Sequence, residues 1–196
     1  MKIVCVGDSL TYGYRVPRRK VWTALAAERA GMEVLNRGVT GDTTGGMLAR
    51  FGRDALDARP DAVFLMGGVN DLIMGAGAGV VHANLSAMVH QAFAAGCAPV
   101  LGVPIPLLPD EVREDWRRMA DFPSLVGAVR ELREWLGLFA RTFGVQLVDF
   151  YTLFTGLGEA IGEYYLDGMH PNLRGNGLMA DRFCAELAGK LRRARP

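Results

Sequence analysis

The chain has 196 residues, half of them hydrophobic and 22% charged, and its 22 Lys and Arg against 21 Asp and Glu leave a formal net charge of +1. That length suits one domain with a full core, and the near-neutral balance argues against a partner held by bulk charge, whether nucleic acid or an anionic membrane. Three scattered cysteines, Cys5, Cys97 and Cys184, are too few for a disulfide framework or a zinc site.

Taken in chain order, the first element is an apolar run over residues 2–7 that predicts a buried strand with Cys5 as core. It is too short for the apolar stretch of a signal peptide or a membrane span, which gives a cytoplasmic location as the expectation. A second run at 33–37 predicts the next strand, and Leu48, Phe51 and Ala55 sketch a helix after it. A third strand is expected at 62–67, followed by a helix on which Val81, Leu85, Met88 and Ala92 share one face. A fourth at 99–103 precedes the clearest helical stripe, in which Leu125, Val129, Leu132, Leu136, Phe139 and Phe143 step by four and three. A fifth strand at 145–150 and a last helix marked by Phe183, Leu187 and Leu191 complete the alternation. The basic end, Lys190 to Arg195, reads as the solvated, dipole-complementing finish of that helix. Strand and helix in turn imply a parallel sheet covered on both faces, one domain over residues 1–196 with no repeat or linker.

Ligands of open α/β sheets bind beyond the carboxyl ends of the strands, where the strand order reverses. After the first strand comes Gly7-Asp8-Ser9-Leu10-Thr11-Tyr12-Gly13, and after the second Gly38-Val39-Thr40-Gly41-Asp42. Gly67-Gly68-Val69-Asn70-Asp71 follows the third, and Asp167-Gly168-Met169-His170-Pro171-Asn172 lies beyond the fifth. Polar and glycine-rich residues therefore gather on one edge. A serine hydroxyl needs an adjacent base to become a nucleophile. His82 and His90 fall inside a helix away from the strand ends, which leaves His170 as the base for Ser9. Asp167, three residues earlier, is placed to hold the imidazole and fix its tautomer. The backbone N–H groups of Ser9 and Gly38 and the side-chain amide of Asn70 are candidate donors to an oxyanion. Glycine at 38 would let the backbone come close to a substrate. Asp8 and Asp71 read as structural supports.

At these residues the chain resembles a known family. Gly7-Asp8-Ser9-Leu10 looks like the signature of the GDSL esterases and lipases, and Ser9, Gly38, Asn70 and His170 resemble the four blocks of the SGNH hydrolase superfamily. The resemblance runs from residue 3 to about residue 180. It implies a flavodoxin-like three-layer α/β/α fold with a five-stranded parallel sheet in the order 2-1-3-4-5. It further implies Ser9 as nucleophile, His170 as base, Asp167 as its partner, and Gly38 and Asn70 as oxyanion donors, without metal or cofactor.

The expected substrate is a small carboxylic ester: aryl, short-chain acyl, an acetylated sugar, or a thioester or lysophospholipid. Two loops are expected to shape its pocket. One, at 72–79, is a glycine-rich candidate flap carrying Met74. The other, at 104–123, offers Leu107, Leu108 and Trp116. The same triad suits an acyltransferase passing the acyl group to an alcohol or sugar. A non-catalytic nucleotide-binding module lacks support, because the Gly7–Gly13 loop has neither the Lys nor the spacing of a P-loop. A metal hydrolase on Asp8, Asp71 and His170 has too sparse a ligand set. No nucleic-acid or membrane partner is expected. A homodimer is the default assembly, although no segment of the sequence demands one.

Overall fold

A computed structural model describes residues 1–188; the basic end from Lys190 to Arg195 and the Leu191 position lie outside the described residues. Five parallel strands, β1 (Lys2–Gly7), β2 (Glu33–Gly38), β3 (Ala62–Met66), β4 (Ala98–Val103) and β5 (Gln146–Asp149), form one sheet in the order β2-β1-β3-β4-β5. This is the expected order, and the strand ends shift from the expected ones by one residue or so.

The central strands are apolar on both faces because both faces are covered. In β1, Ile3 and Cys5 face one cluster, with Trp22, Phe64, Phe150, Phe183 and Leu187, whereas Val4 and Val6 face another with Phe51, Leu65, Leu85 and Leu136. This alternation is the period of two of a pleated strand. Helices α2 (Trp22–Ala30), α8 (Phe150–Thr155) and α9 (Leu173–Ala188) supply the first layer; α3 (Thr44–Asp54), α5 (Ala78–Ala94) and α7 (Phe122–Phe143) supply the other.

Helix α2 has little sequence periodicity and is not among the expected elements; Trp22 and Ala26 bury one side of it. In α3 it is Met47 with Phe51 that is fully buried, and Leu48 is only partly so. Along α7, Val129, Leu132, Leu136 and Phe139 are buried, Leu125 is partly buried, and Phe143, in the last turn, is 45% exposed and so leaves the core stripe.

The 72–79 stretch is shorter as a loop than expected. A helical turn α4 (Val69–Ile73) takes its start and α5 begins at Ala78. Two other short helices, α1 (Ser9–Tyr12) and α6 (Glu114–Arg117), flank the carboxyl edge of the sheet. Among the described residues no helix is long and apolar enough to cross a membrane.

Candidate active site

The chain order turns back at β1 and β3, so the crevice at their carboxyl ends is the switch point of the sheet. Helix α1 begins there. The Asp8 carboxylate caps it by accepting the Leu10 N–H at 2.9 Å, and Gly13, in the left-handed region with φ +84°, ends it. Ser9 is the first residue of this helix, so its N–H has no intrahelical acceptor.

The base arrives from the other end of the chain on a tight turn. The Asp167 side chain accepts the N–H groups of Met169 (3.2 Å) and His170 (2.9 Å), while Leu166 N–H donates to the His170 carbonyl at 2.8 Å. Gly168 has φ +72°, and a Cβ there would lie 2.5 Å from the Leu108 carbonyl oxygen, so only glycine fits. This local wrapping brings His170 Nδ1 to 2.9 and 3.0 Å from the two Asp167 oxygens and His170 Nε2 to 2.9 Å from Ser9 Oγ.

Burial pushes the Asp167 carboxyl up, but the His170 hydrogen bond and charge, with the two backbone N–H bonds, bring it below the usual carboxylate range. An ionised carboxylate only accepts. The proton therefore sits on Nδ1, and Nε2 is left as acceptor for the Ser9 hydroxyl. Ser9 is 7% and His170 3% exposed. A hydroxyl so held can pass its proton to the imidazole while its oxygen attacks an electrophile.

Asn70, on α4, donates through Nδ2 to the Asp42 carbonyl at 2.8 Å, which leaves its second amide hydrogen for another acceptor. Its neighbour Asp71 is buried and accepts from Thr44 N (2.9 Å) and Thr44 Oγ1 (2.6 Å), tying α4 to α3. Arg50 braces the intervening loop from α3, pairing with Asp42 at 2.8 Å and donating to the Gly7 carbonyl.

Gly38 departs from the expectation. Its N–H already donates to Asn36 Oδ1 at 2.9 Å, and a Cβ there would stand 2.2 Å from Tyr12 N. The glycine is required because β2 abuts α1, and its N–H is committed to that turn. Gly41, three residues on, has φ +79° with no atom within 4 Å of a built Cβ, and it precedes the Asp42 peptide that Asn70 holds. The repeated glycine in Gly38-Val39-Thr40-Gly41-Asp42 was the available signal, but spacing alone did not say which of the two is open.

Asp8, Ser9, Asn70 and His170 share a small recess with Val69, Ile105, Leu107 and Met169. Of the expected pocket residues, Leu107 lines it. Leu108 instead packs toward the core, its N–H donating to the Gly168 carbonyl. Met74 does not line it and is 63% exposed, since it follows the end of α4. Trp116 stands beside the base, its ring centroid 5.5 Å from that of His170. Tyr14, not singled out from sequence, lies closer, at 4.4 Å from the imidazole and 6.0 Å from Trp116. His82 stacks on Trp135 at 4.0 Å and the exposed His90 adjoins Phe143, both on the α5 and α7 side.

Comparison with known proteins points to one family. The model of the GDSL-like lipase/acylhydrolase family matches residues 5–178. Esterase TesA of Pseudomonas aeruginosa is 30% identical over 176 residues, which cover 87% of this chain and 80% of that protein. An arylesterase of Vibrio mimicus is 36% identical over 93 residues, and the match spans 45% of this chain and about half, 46%, of the relative. A lipolytic protein of the G-D-S-L family from Veillonella parvula superposes with a TM-score of 0.82 at 28% identity, covering 96% of this chain and 99% of that one.

Proposed function

The chain belongs to the GDSL-like lipase/acylhydrolase family, and on that premise we propose that it cleaves small carboxylic esters through an acyl-enzyme on Ser9. The observation that carries the reading is the unbroken relay from Asp167 through His170 to Ser9, with every link between 2.9 and 3.0 Å. In the first half-reaction His170 Nε2 takes the Ser9 proton as Oγ adds to the ester carbonyl. The imidazolium, stabilised by Asp167, then protonates the departing alcohol. Water repeats the sequence in reverse to release the acid.

The negative charge that develops on the carbonyl oxygen is met by the Ser9 N–H and the free hydrogen of the Asn70 amide. For the third donor we take the Gly41 N–H in place of that of Gly38, because the latter is spent on Asn36. Leu107 and Trp116 stay in the proposal as substrate contacts, joined by Tyr14.

The acyl-enzyme is common to hydrolysis and to transfer onto an alcohol. Hydrolysis is the reading because two of the curated relatives carry esterase names. Aryl esters and short-chain acyl esters are favoured because the recess is small and its lining includes Val69, Ile105, Leu107 and Met169. A cytoplasmic setting, one domain and a soluble small-molecule substrate complete the proposal; Cys5, Cys97 and Cys184 are free thiols, as a reducing compartment leaves them.

The test is covalent labelling by a fluorophosphonate together with turnover of p-nitrophenyl acetate. Labelling is expected at Ser9 alone, and Ser9→Ala should lose roughly a million-fold in kcat. A Ser9→Ala protein that kept most of its turnover would remove the nucleophile from this reading. Products formed with and without added glycerol separate hydrolysis from transfer.

A further inference from the structure

The imidazole that takes and returns the proton is covered by two rings. Tyr14 has its centroid 4.4 Å from that of His170 at an interplanar angle of 37°, and Trp116 lies 5.5 Å away at 76°. The Tyr14 and Trp116 rings are 6.0 Å apart, close enough to buttress each other. Both are half-buried, whereas His170 is 3% exposed. Neither ring is among the residues that line the recess, so the site group they are set against is the base.

The turn after α1 is built around this placement. Gly13, with φ +84°, leaves no room for a side chain, because a Cβ there would stand 2.3 Å from a Val21 methyl carbon. Arg15, with φ +55°, holds a left-handed backbone that residues with a side chain rarely adopt. Strain of this kind persists only where the surrounding structure fixes it, and it clusters at functional sites. Between these two residues the Tyr14 N–H donates to the Ser9 carbonyl at 3.1 Å. Tyr14 is thus tied to the nucleophile through its backbone and to the base through its ring.

We infer that Tyr14 is a positioning residue for His170, its ring holding the imidazole against Ser9 and stabilising the protonated form that each turnover requires. The inference rests on the ester-cleaving reading and adds a residue to its proton relay. The proton that leaves Ser9 Oγ as the bond from Oγ to the carbonyl carbon forms arrives at Nε2. It departs with the alcohol when the ester C–O bond breaks. Between the two transfers the imidazole carries a positive charge with little water around it. An aromatic face within about 6 Å attracts such a cation, more strongly where the site is desolvated. Asp167 at Nδ1 and Asp8 in the same recess attract it as well. Two guanidinium groups share the rings, Arg15 at 5.3 Å from the Tyr14 centroid and Arg113 at 5.6 Å from that of Trp116.

The experiment follows p-nitrophenyl acetate turnover against pH in four proteins: wild type, Tyr14→Phe, Tyr14→Leu, and a protein carrying pentafluorophenylalanine at position 14. The fluorinated ring keeps the shape of phenylalanine but loses its negative face. Tyr14→Phe should stay within about twofold of wild type in kcat. Tyr14→Leu and the fluorinated protein should each lose about tenfold in kcat with KM little changed. Their acid limbs of kcat/KM should also move to lower pH by up to about one unit, because a base whose protonated form is less favoured takes up its proton at lower pH. The Asp8 carboxyl, pushed up to about 6, is common to all four proteins, so the differences between them report on the base. A fluorinated protein that matched Tyr14→Phe in kcat and pH profile would overturn the inference and leave the ring as packing alone. A loss confined to KM would overturn it too, as a substrate contact, and so would a Tyr14→Phe protein as impaired as Tyr14→Leu, which would assign the effect to the hydroxyl. Fluorophosphonate labelling of wild-type Ser9 reports the ester-cleaving reading separately. A wild type that labels, beside a fluorinated protein indistinguishable from Tyr14→Phe, sinks only the role of Tyr14; a wild type that fails to label removes both.

Discussion

Two buried aspartates within the same crevice are driven in opposite directions. Asp167 is held below the usual range by His170 and two backbone N–H groups. Asp8 is pushed up to about 6, because burial, with the nearby Asp42 and Asp71 charges, outweighs the Leu10 N–H and the His170 charge that favour its ionised form. The consequence for stability has a definite sign. A folded-state value raised from 3.8 to about 6 favours the neutral form, so the benefit is present below about pH 4 and is lost as the pH rises through 6. Asp8→Asn retains an oxygen for the Leu10 N–H and carries no charge to desolvate. Between pH 4 and pH 7.5 the wild-type protein should therefore lose stability relative to Asp8→Asn by about 2–3 kcal/mol. Urea unfolding of both proteins at the two pH values measures this, and parallel pH profiles would contradict it. At Asn70 the expected effect is on rate: if its free amide hydrogen meets the oxyanion, Asn70→Ala should cost about 3 kcal/mol in kcat/KM. A loss confined to KM would instead mean that the amide binds substrate and transition state equally.

Short connecting elements position these residues, and they are where sequence and structure part company. The strands could be read because β1, β3 and β4 are apolar on both faces, and α5 and α7 because several turns repeat their pattern. Ser9 and Asn70 could be picked out because each follows a strand end as a polar residue in a glycine-rich turn, and His170 with Asp167 because the other two histidines lie inside a helix away from the strand ends. Helices α1, α4 and α6 have four or five residues, too few to show a period. The open pocket edge could not be read for the same reason: Tyr14 and Trp116 reach His170 from separate turns whose approach is set by tertiary packing. Met74, apolar and glycine-flanked, was indistinguishable by sequence from a pocket residue. The two glycines after β2 give the sharpest test at this scale. At Gly38 a methyl group would strike the α1 backbone, whereas at Gly41 it meets nothing and only the backbone angle resists. Gly41→Ala should cost about 1–2 kcal/mol of stability. Gly38→Ala should cost more than Gly41→Ala, because β2 must separate from the helix that carries Ser9. Thermal unfolding orders the two, and the reverse order would mean that β2 and α1 are free to part.

At the scale of the whole molecule, Ser9 and His170 are separated by 161 residues, so their 2.9 Å contact depends on how the two ends of the chain are fastened. The fastening runs through Trp22 and Asn176. Trp22 packs among Phe64, Phe150 and Phe183, and its ring Nε1–H donates to the Leu10 carbonyl, one residue beyond the nucleophile. Its backbone N–H donates to Asn176 Oδ1 at 2.9 Å; Asn176 Nδ2 in turn donates to the carbonyls of Pro171 and Asn172, next to His170. One fully buried amide therefore links the start of α2 to the segment bearing the base. Asn176→Ala would leave the Trp22 N–H and the Pro171 carbonyl without these partners, at a cost of about 1–3 kcal/mol for each buried group left unpaired. Because the loosened contact lies between nucleophile and base, kcat on p-nitrophenyl acetate should fall further than KM changes, and fluorophosphonate labelling of Ser9 should slow in step. Asn176→Asp, which keeps the acceptor for Trp22 but sets a buried carboxylate against the carbonyls of Pro171 and Asn172, should lose at least as much stability at neutral pH as Asn176→Ala. If Asn176→Ala lost stability but labelled at the wild-type rate, this link would be structural only, and some other contact would have to hold serine and histidine together.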